Sequence, residues 1–273
     1  SVNIAKNKYK CWICDSHGKN IHYLIKRFGE RAHKQQWNEF YNRFVVSDFD
    51  ELFSKKEIVE HKQVIKLPDE YICLANSPLP RDSISALNYL SNRGVSKEDI
   101  LYWKIGYCSD GLYRNRIIIP SFNNDGYCSY FIARSYTEDW MKYKNPPVSK
   151  NIVFNELMVD WNKPITLVEG IFDAIKADNA IPLLGSTLNV HSQLFRAILS
   201  RVKRIYIGLD QDAEKKALRI INTLISHNIE VYKIDTSSYE DIGEMTKKEF
   251  LERKKEAILM DSNSILMHKI LQI

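Results

Sequence analysis

Apolar and polar residues alternate most regularly in the second half of the chain. From Pro164 onward, short apolar runs alternate with segments of helical spacing. The predicted strands are ITLVEG, IPLLGS, RIYIGLD and IEVYKID, and the predicted helices between them are IFDAIKADNA, NVHSQLFRAILSRV and AEKKALRIINTLISHN. Short, fully apolar strands separated by helices are typical of a buried parallel sheet with right-handed crossovers. The sequence therefore predicts an α/β fold for this half.

The preceding part of the chain has a mixed pattern. SISALNYLSNRGVSKEDILYWKIGYC has helical spacing with a break at Gly94, and Ser96 is the predicted N-cap of the second helix, with Glu98 and Asp99 in its first turn. RNRIIIPSF and YCSYFIARSY, joined by the turn NNDG, predict a β-hairpin. This part is therefore predicted to be a mixed α+β region.

Composition adds few constraints. The chain has 273 residues, of which 44% are hydrophobic, enough for a sizeable core. Its net charge of +5 fits a polyanionic partner but is a weak signal by itself. We find no apolar run near 20 residues and no secretory signal pattern, so no membrane span is expected. Five cysteines, an odd number with only one close pair, indicate a reducing compartment.

Carboxylates follow two of the predicted strands. Glu169 ends ITLVEG, and Asp210 ends RIYIGLD, with Asp212 two residues later. Carboxyl ends of parallel strands are where open α/β sheets place ligands, and clustered carboxylates suit Mg²⁺ or Mn²⁺. Asp173, one helical turn after Glu169, could join them. The alternative is that these acids only cap the helices that follow; the pairing of Glu-Gly with Asp-x-Asp in one sheet favours the metal site.

Basic and aromatic residues cluster around the predicted hairpin. Arg114 and Arg116 are two apart and are expected to face one side of a strand; Arg134 ends the next strand, and Lys142 and Lys144 follow. Such side chains could neutralise phosphates of a nucleotide or a template, or could simply be a solvated hairpin face. Nearby aromatic residues could stack on bases, but core packing is the favoured reading for them: Tyr136, Trp140 and Tyr143.

A Cys-x-x-Cys pair lies near the start of the chain, in the predicted hairpin tip KYKCWICDSHG. Cys11 and Cys14 could be one half of a zinc ribbon, with His17 as a third ligand, or they could be a redox pair. No thioredoxin-like βαβ pattern surrounds them, which favours the half-ribbon. The remaining cysteines lie in segments that read as core or strand: Cys73, Cys108 and Cys128.

Taken in order, these motifs resemble one family. LVEGIFDAI, LLGSTLN and YIGLDQDAEKKA resemble the toprim fold of bacterial and phage DNA primases. YLSNRGVSKEDILYWKIGYC, RNRIIIPSFNNDGYCSYFIARSY and KYKNPPVSKNIVFNE resemble the N-terminal part of the primase RNA polymerase domain, and YKCWICDSHGKNIHYLIKRFG resembles the second half of the primase zinc ribbon with the helix after it. The set covers nearly the whole chain and looks most similar to the compact phage enzymes.

The resemblance implies a fold and a domain order. The expected fold is toprim, a Rossmann-like parallel sheet with flanking helices, preceded by a mixed α+β primase N-terminal subdomain and a partial zinc ribbon. The implied divisions are a partial zinc ribbon and following helix (1–30), a helical linker (31–63), the N-terminal subdomain of the polymerase core (64–160), the toprim domain (161–257) and a C-terminal tail (258–273).

The resemblance also implies roles for residues. Glu169, Asp210 and Asp212 match the catalytic metal-binding acids, and Asp173 and Asp241 match further acids of a site for two Mg²⁺ or Mn²⁺ ions. KYKNPP matches a segment that lines the active groove. The implied nucleotide- and template-binding residues are Arg114, Arg116, Arg134, Lys142, Lys144 and Asn145. The chain departs from many bacterial members at Gly243, where they carry a second Asp; Glu244 could compensate.

The implied activity is synthesis of short RNA primers on single-stranded DNA from ribonucleoside triphosphates during replication, in the bacterial cytoplasm or an infected host cell. A replicative helicase is the further partner that the resemblance implies, and zinc is a possible second metal. Two other readings stay open: a toprim nuclease or topoisomerase, and a non-catalytic toprim DNA-binding factor of replication or recombination. The second of these predicts loss of the acids, yet Glu169, Asp210 and Asp212 are present.

Overall fold

The structure is a computed structural model of the chain, and it divides into two compact units, Ser1–His61 and Lys62–Ile273. In the first unit, three short strands form an antiparallel sheet: β1 (Val2–Asn3), β2 (Lys8–Lys10) and β3 (His17–Gly18). The pairing of β2 with β3 confirms the predicted hairpin. The structure describes residues 2–3, 8–10, 17–18, 25, 28–30, 33–34, 36, 63–185, 188–210, 213–237, 239 and 241–261.

The second unit begins with a four-stranded antiparallel sheet in the order β4-β5-β6-β7. Its strands are β4 (Ile72–Cys73), β5 (Gly106–Cys108), β6 (Arg116–Phe122) and β7 (Cys128–Ser135), so the predicted hairpin and the placing of the three cysteines in strands are confirmed. Two helices, α1 (Ser83–Asn92) and α2 (Lys97–Tyr102), lie between β4 and β5.

The start of α2 shows why the sequence folds locally as it does. The Ser96 side chain accepts a hydrogen bond from the backbone amide of Asp99, and the Asp99 carboxylate accepts one from the backbone amide of Ser96. This reciprocal capping satisfies two amides that a helix start leaves without partners. The N-cap predicted from the sequence is therefore confirmed.

The alternating second half forms a five-stranded sheet in the order β12-β11-β10-β8-β9. Its strands are β8 (Ile165–Val168), β9 (Ala180–Pro182), β10 (Arg204–Gly208), β11 (Glu230–Lys233) and β12 (Ile258–Met260). The first four are mutually parallel, which confirms the α/β prediction. The helices are α3 (Ile171–Lys176), α4 (Gln193–Arg201), α5 (Glu214–Ser226) and α6 (Lys247–Lys255).

Strand β12 lies in the segment that the sequence assigned to the C-terminal tail. It pairs antiparallel with β11 at the edge of the sheet, with Met260 opposite Val231 and Ile258 opposite Lys233. The sheet therefore extends beyond the predicted end of the toprim domain at residue 257.

The two larger of three apolar clusters formed by the described residues join the elements of the second unit. One lies against the outer helices α4 and α5, and the other joins the antiparallel sheet to α3 and to the nearer face of the parallel sheet. Phe172 and Ile175 of α3 share this second cluster with Leu90 of α1 and Ile117 of β6. Helix α3 is thus fixed between the two sheets, and the residues at its N-terminus are held in place from both sides. Within the described residues, no helix is long and apolar enough to cross a membrane.

Candidate active site

Glu169 and Asp210 leave neighbouring parallel strands at the same edge of the sheet. Val168 of β8 is aligned with Gly208 of β10, so Glu169 follows its strand by one residue and Asp210 follows its strand by two. Both side chains are partly buried. The structure therefore brings together two of the three predicted catalytic acids; Asp212, the third, lies outside the described residues.

Asp173 lies in the first turn of α3, directly behind this edge. Its Oδ2 accepts a hydrogen bond from the amide of Gly170 at 2.7 Å, and its Oδ1 accepts one from the amide of Gly243 at 3.0 Å. Burial, together with the negative charges of Asp241 and Glu169, raises the pKa of Asp173 to about 6 against the lowering effect of the two amides. A buried carboxyl with this pKa gains strongly from a nearby cation.

Asp241 reaches the same place from the other side. It is the N-cap of a short 3-10 helix (Ile242–Glu244), and its Oδ1 accepts a hydrogen bond from the amide of Glu244 at 3.0 Å. A Cβ atom on Gly243 would lie 3.0 Å from Asp241 Oδ1 and 3.2 Å from Asp173 Oδ1. In this chain the backbone amide of Gly243, and not a side chain, therefore lies next to Asp173 Oδ1. The side chain of Glu244 is exposed.

The arrangement fits a divalent cation. Glu169 Oε2 is buried and has no hydrogen-bond partner among the described residues, while Glu169 Oε1 is 3.0 Å from Lys216 Nζ of α5. A buried carboxylate oxygen without a donor is costly, and a metal ion would satisfy it. Within the described part of the chain, no three His, Cys, Asp or Glu side chains are already grouped as a metal site.

A cluster of arginine and aromatic side chains lies beside the acids. Arg134 of β7 donates hydrogen bonds to the hydroxyls of Tyr89 (2.5 Å) and Tyr143 (2.6 Å), and its guanidinium lies over the ring of Phe172, the neighbour of Asp173. Arg93, at the end of α1, lies 4.6 Å from the centre of the same Phe172 ring. Arg134 was predicted from the sequence; Arg93 and Tyr89 were not.

The two arginines expected to share a strand face do not. Asn115 has φ of +57°, so the extended strand begins only at Arg116, and Arg114 lies before it and is exposed. Arg116 is only 4% exposed and forms a 2.5 Å ion pair with Asp139. The prediction that both face one side of a strand is therefore wrong, because Arg114 lies before the strand and Arg116 pairs inside the protein. Contact of either residue with phosphate stays a prediction.

The predicted KYKNPP groove residues separate into two groups. Lys142 is exposed, whereas Lys144 Nζ donates to the carbonyl of Leu112 at 3.0 Å. Asn145 Oδ1 accepts a hydrogen bond from the amide of Ala133 at 3.1 Å, which anchors the segment to β7. Lys142 is thus the member of this segment best placed to meet a ligand.

The expectation of core packing is wrong for Trp140, which is 89% exposed. Tyr143 is 42% exposed, and its hydroxyl is held by Arg134. Tyr136 does pack partly against the core. Hydrophobicity alone does not separate these three positions, since each is an aromatic residue in the same polar stretch.

The predicted zinc ligands cannot be placed as a site. Cys11 and Cys14 lie outside the described residues, and His17 is described only as part of the backbone of β3. Their binding of zinc stays a prediction.

No protein-family profile matches the chain. Among curated proteins it is similar to the DNA primase of Staphylococcus epidermidis, with 24% identity over 68% of this chain and 39% of the relative, and to the DNA primase of Listeria monocytogenes, with 22% identity over 94% and 50%. The chain thus spans half or less of the length of these relatives. They confirm the resemblance to bacterial DNA primases.

Solved structures show the same fold. The chain matches the catalytic domain of a DnaG primase bound to single-stranded DNA with a TM-score of 0.59 and 17% identity, covering 71% of this chain and 77% of that one. It matches the Aquifex aeolicus primase fragment of zinc-binding and RNA polymerase domains with a TM-score of 0.56 and 18% identity, covering 95% and 75%. The predicted fold class, that of the primase catalytic core, is therefore confirmed.

Proposed function

We propose that this chain is the catalytic core of a DNA primase, which makes short RNA primers on single-stranded DNA from ribonucleoside triphosphates. The observation that carries the proposal is the meeting of Glu169 and Asp210 at one edge of a parallel sheet, with buried Asp173 behind them and Arg134 beside them. In a fold shared with primase catalytic cores, this is an acidic centre next to a basic surface. Such a pair suits a reaction between a nucleotide and a nucleic-acid strand.

The acids are proposed to hold two Mg²⁺ or Mn²⁺ ions through Glu169, Asp173, Asp210, Asp212 and Asp241. Ions held there would lower the pKa of a primer 3′-hydroxyl and offset the charge of the triphosphate. The gap left by Gly243 is filled by its own amide, which holds Asp173 in place. The carboxylate cluster of this chain is then built from fewer side chains than the one in many bacterial members.

The basic side chains would hold the substrates. Arg134 and Lys142 line one cleft, and Arg93 lies over the same Phe172 ring as Arg134. Their positive charge suits phosphates of the template or of the nucleotide. Arg114 stays a candidate for binding phosphate because it is exposed. Lys144 would bind phosphate as well if its Nζ exchanged the Leu112 carbonyl for a phosphate oxygen. Arg116 and Asn145 are assigned to shaping the groove, not to contacting substrate.

Further partners follow from the same proposal. Cys11, Cys14 and His17 would contribute to a zinc site that helps choose the start position on the template. A replicative helicase would bring the enzyme to the single strand, and the reaction would take place in the cytoplasm of a bacterium or of an infected host cell.

A template-directed synthesis assay tests the function. The purified chain is incubated with a single-stranded DNA template, labelled ribonucleotides and Mg²⁺, and the RNA products are resolved by length. We expect Asp210→Asn to reduce synthesis at least about 100-fold, because a ligand of the reacting ions is lost. The matched control is Asp69→Asn, at an exposed turn, which should leave synthesis unchanged.

The other two readings predict different products. Cleavage or relaxation of supercoiled plasmid by the wild-type chain, without RNA synthesis, would support the nuclease or topoisomerase reading. DNA binding without either reaction, and unchanged in Asp210→Asn, would support the non-catalytic reading.

A further inference from the structure

Trp140 is the most exposed large hydrophobic residue in the described part of the chain, at 89%. A tryptophan side chain in this state presents on the order of 200 Å² of largely apolar surface to water. A single exposed hydrophobic residue is common on protein surfaces, but aromatic residues and arginine are enriched at binding interfaces. The residues around Trp140 therefore decide whether it belongs to a binding site.

Trp140 stands on a short loop with a closed base. Strand β7 ends at Ser135, and the chain returns so that Tyr143 forms a bridge opposite Arg134. At the neck of this loop, the amide of Ser135 donates to the carbonyl of Lys142 at 3.0 Å. The ring is therefore carried on a loop whose base is part of the sheet.

The loop is also fixed from inside. The buried guanidinium of Arg116 pairs with Asp139 and donates to the carbonyl of Met141 at 3.0 Å, and these two residues flank Trp140 on both sides. The amide of Met141 donates to Asp139 Oδ1 at 2.9 Å. A buried charge is thus used to hold a loop from which Trp140 points into solvent. Preorganised aromatic groups lose little entropy when they bind a flat partner.

The surroundings of the ring identify the partner. Trp140 lines an open cleft of about 640 Å³ together with Tyr89, Arg134 and Lys142. Two carboxylates, Glu138 and Asp139, also line it, and the charge of Asp139 is offset by the buried Arg116. Arg134 continues from this cleft to Phe172, next to the acidic centre. A flat aromatic ring, an exposed lysine two residues away and an arginine farther in are suited to a strand of alternating bases and phosphates.

We propose that Trp140 stacks on a base of single-stranded nucleic acid, while Lys142 meets a neighbouring phosphate, so that the strand enters the cleft toward the acids. This inference rests on the proposed function and adds to it a base-stacking residue. The loop clamped by Arg116 is then a positioning element for the strand, and Trp140 itself makes the contact. Stacking of this kind tolerates any base sequence, because every base has a flat face.

Binding of a fluorescein-labelled oligothymidylate, measured by anisotropy in Ca²⁺ without nucleotides, tests the inference. Trp140→Ala should weaken binding about 5- to 100-fold, and Trp140→Phe should restore most of the affinity. The control is Tyr127→Ala, an aromatic residue that is 60% exposed at the opposite end of β7, roughly 25 Å away, and it should bind as the wild type does. Because Trp140 makes few contacts of its own, its variants should keep the wild-type melting temperature.

Tryptophan fluorescence gives an independent readout. The unlabelled oligonucleotide should quench the wild-type emission, and Trp140→Phe should remove most of the quenching. Quenching by ATP alone, with none by the oligonucleotide, would overturn the assignment to the strand. Wild-type affinity in Trp140→Ala would overturn it as well, and if Asp210→Asn were still inactive in synthesis the proposed function would stand. A wild-type chain that neither binds the oligonucleotide nor makes RNA would overturn both.

Discussion

Arg116 and Arg114 look equivalent in the sequence, but only the substitution of Arg116 should lower the stability of the protein. Arg116 is buried, with its guanidinium bound to Asp139 and to the backbone carbonyls of Met141 and Lys142. Replacement by methionine keeps the length of the side chain but removes the charge and these donors. The Asp139 carboxylate and the two carbonyls would then lose the Arg116 donors, and Asp139 would keep the hydrogen bond from the Met141 amide.

The size of the effect follows from exposure. Removing one partner of a fully buried ion pair destabilises proteins by about 3–5 kcal/mol. Here the Asp139 side chain is 30% exposed and can regain water, so the loss should be closer to the value of a charged hydrogen bond. We therefore expect Arg116→Met to lower the free energy of unfolding by about 2–3 kcal/mol.

Equilibrium urea denaturation followed by circular dichroism measures this. Arg114→Met is the matched control and should change the free energy of unfolding by less than about 0.5 kcal/mol, because the side chain is exposed. A cycle with Asp139→Asn should give a coupling energy of about 1–2 kcal/mol between Arg116 and Asp139. If Arg116→Met and Arg114→Met were equally stable, the clamp described for the Trp140 loop would be refuted.

Three further outcomes are expected. In EDTA, the stability that protonated Asp173 contributes is fully present below about pH 4 and is lost as the pH rises through its pKa of about 6. Urea denaturation should therefore show that the free energy of unfolding of the wild type falls by about 3 kcal/mol relative to that of Asp173→Asn by pH 7. Parallel curves of stability against pH for the two proteins would contradict this. Lys142→Ala should reduce the slope of log Kd against log salt for single-stranded DNA by about 0.7, and an unchanged slope would mean that no phosphate is bound there. Lys216→Met should lower the Mg²⁺ concentration needed for half of the metal-induced rise in melting temperature, because a competing cation leaves Glu169; a higher requirement would show that Lys216 supports metal binding instead.

The pattern of apolar residues was sufficient for most of the second unit. Strands such as Ile165–Val168 are entirely buried and are bounded by helices, so their period and length identify them without tertiary information. The carboxylates at their ends could be predicted for the same reason, since parallel strands end at one edge. The Ser96 cap was equally local, because its partner Asp99 is only three residues away.

The failures all depend on tertiary contacts. Arg116 was expected to face the same side of a strand as Arg114, because the spacing of residues does not reveal a partner 23 positions along the chain. Arg93 gave no signal in the sequence: it lies at a helix end next to Gly94, and its guanidinium contacts the rings of Tyr89 and of Phe172 on another helix. Trp140 could not be distinguished from a core aromatic residue by composition, because what exposes it is the clamp beneath its loop.

Strand β12 limits how far the chain can be shortened from its C-terminal side. Its three residues cover the outer edge of β11, whose backbone amide and carbonyl groups would otherwise face solvent. Uncovered strand edges pair readily with other chains and lead to aggregation. A shortened form that ended at Ala257, the domain limit predicted from the motifs alone, would lack β12 and would expose β11 as an unpaired edge strand. A shortened form of the second unit should therefore retain at least Met260, or the yield of monomeric protein will fall.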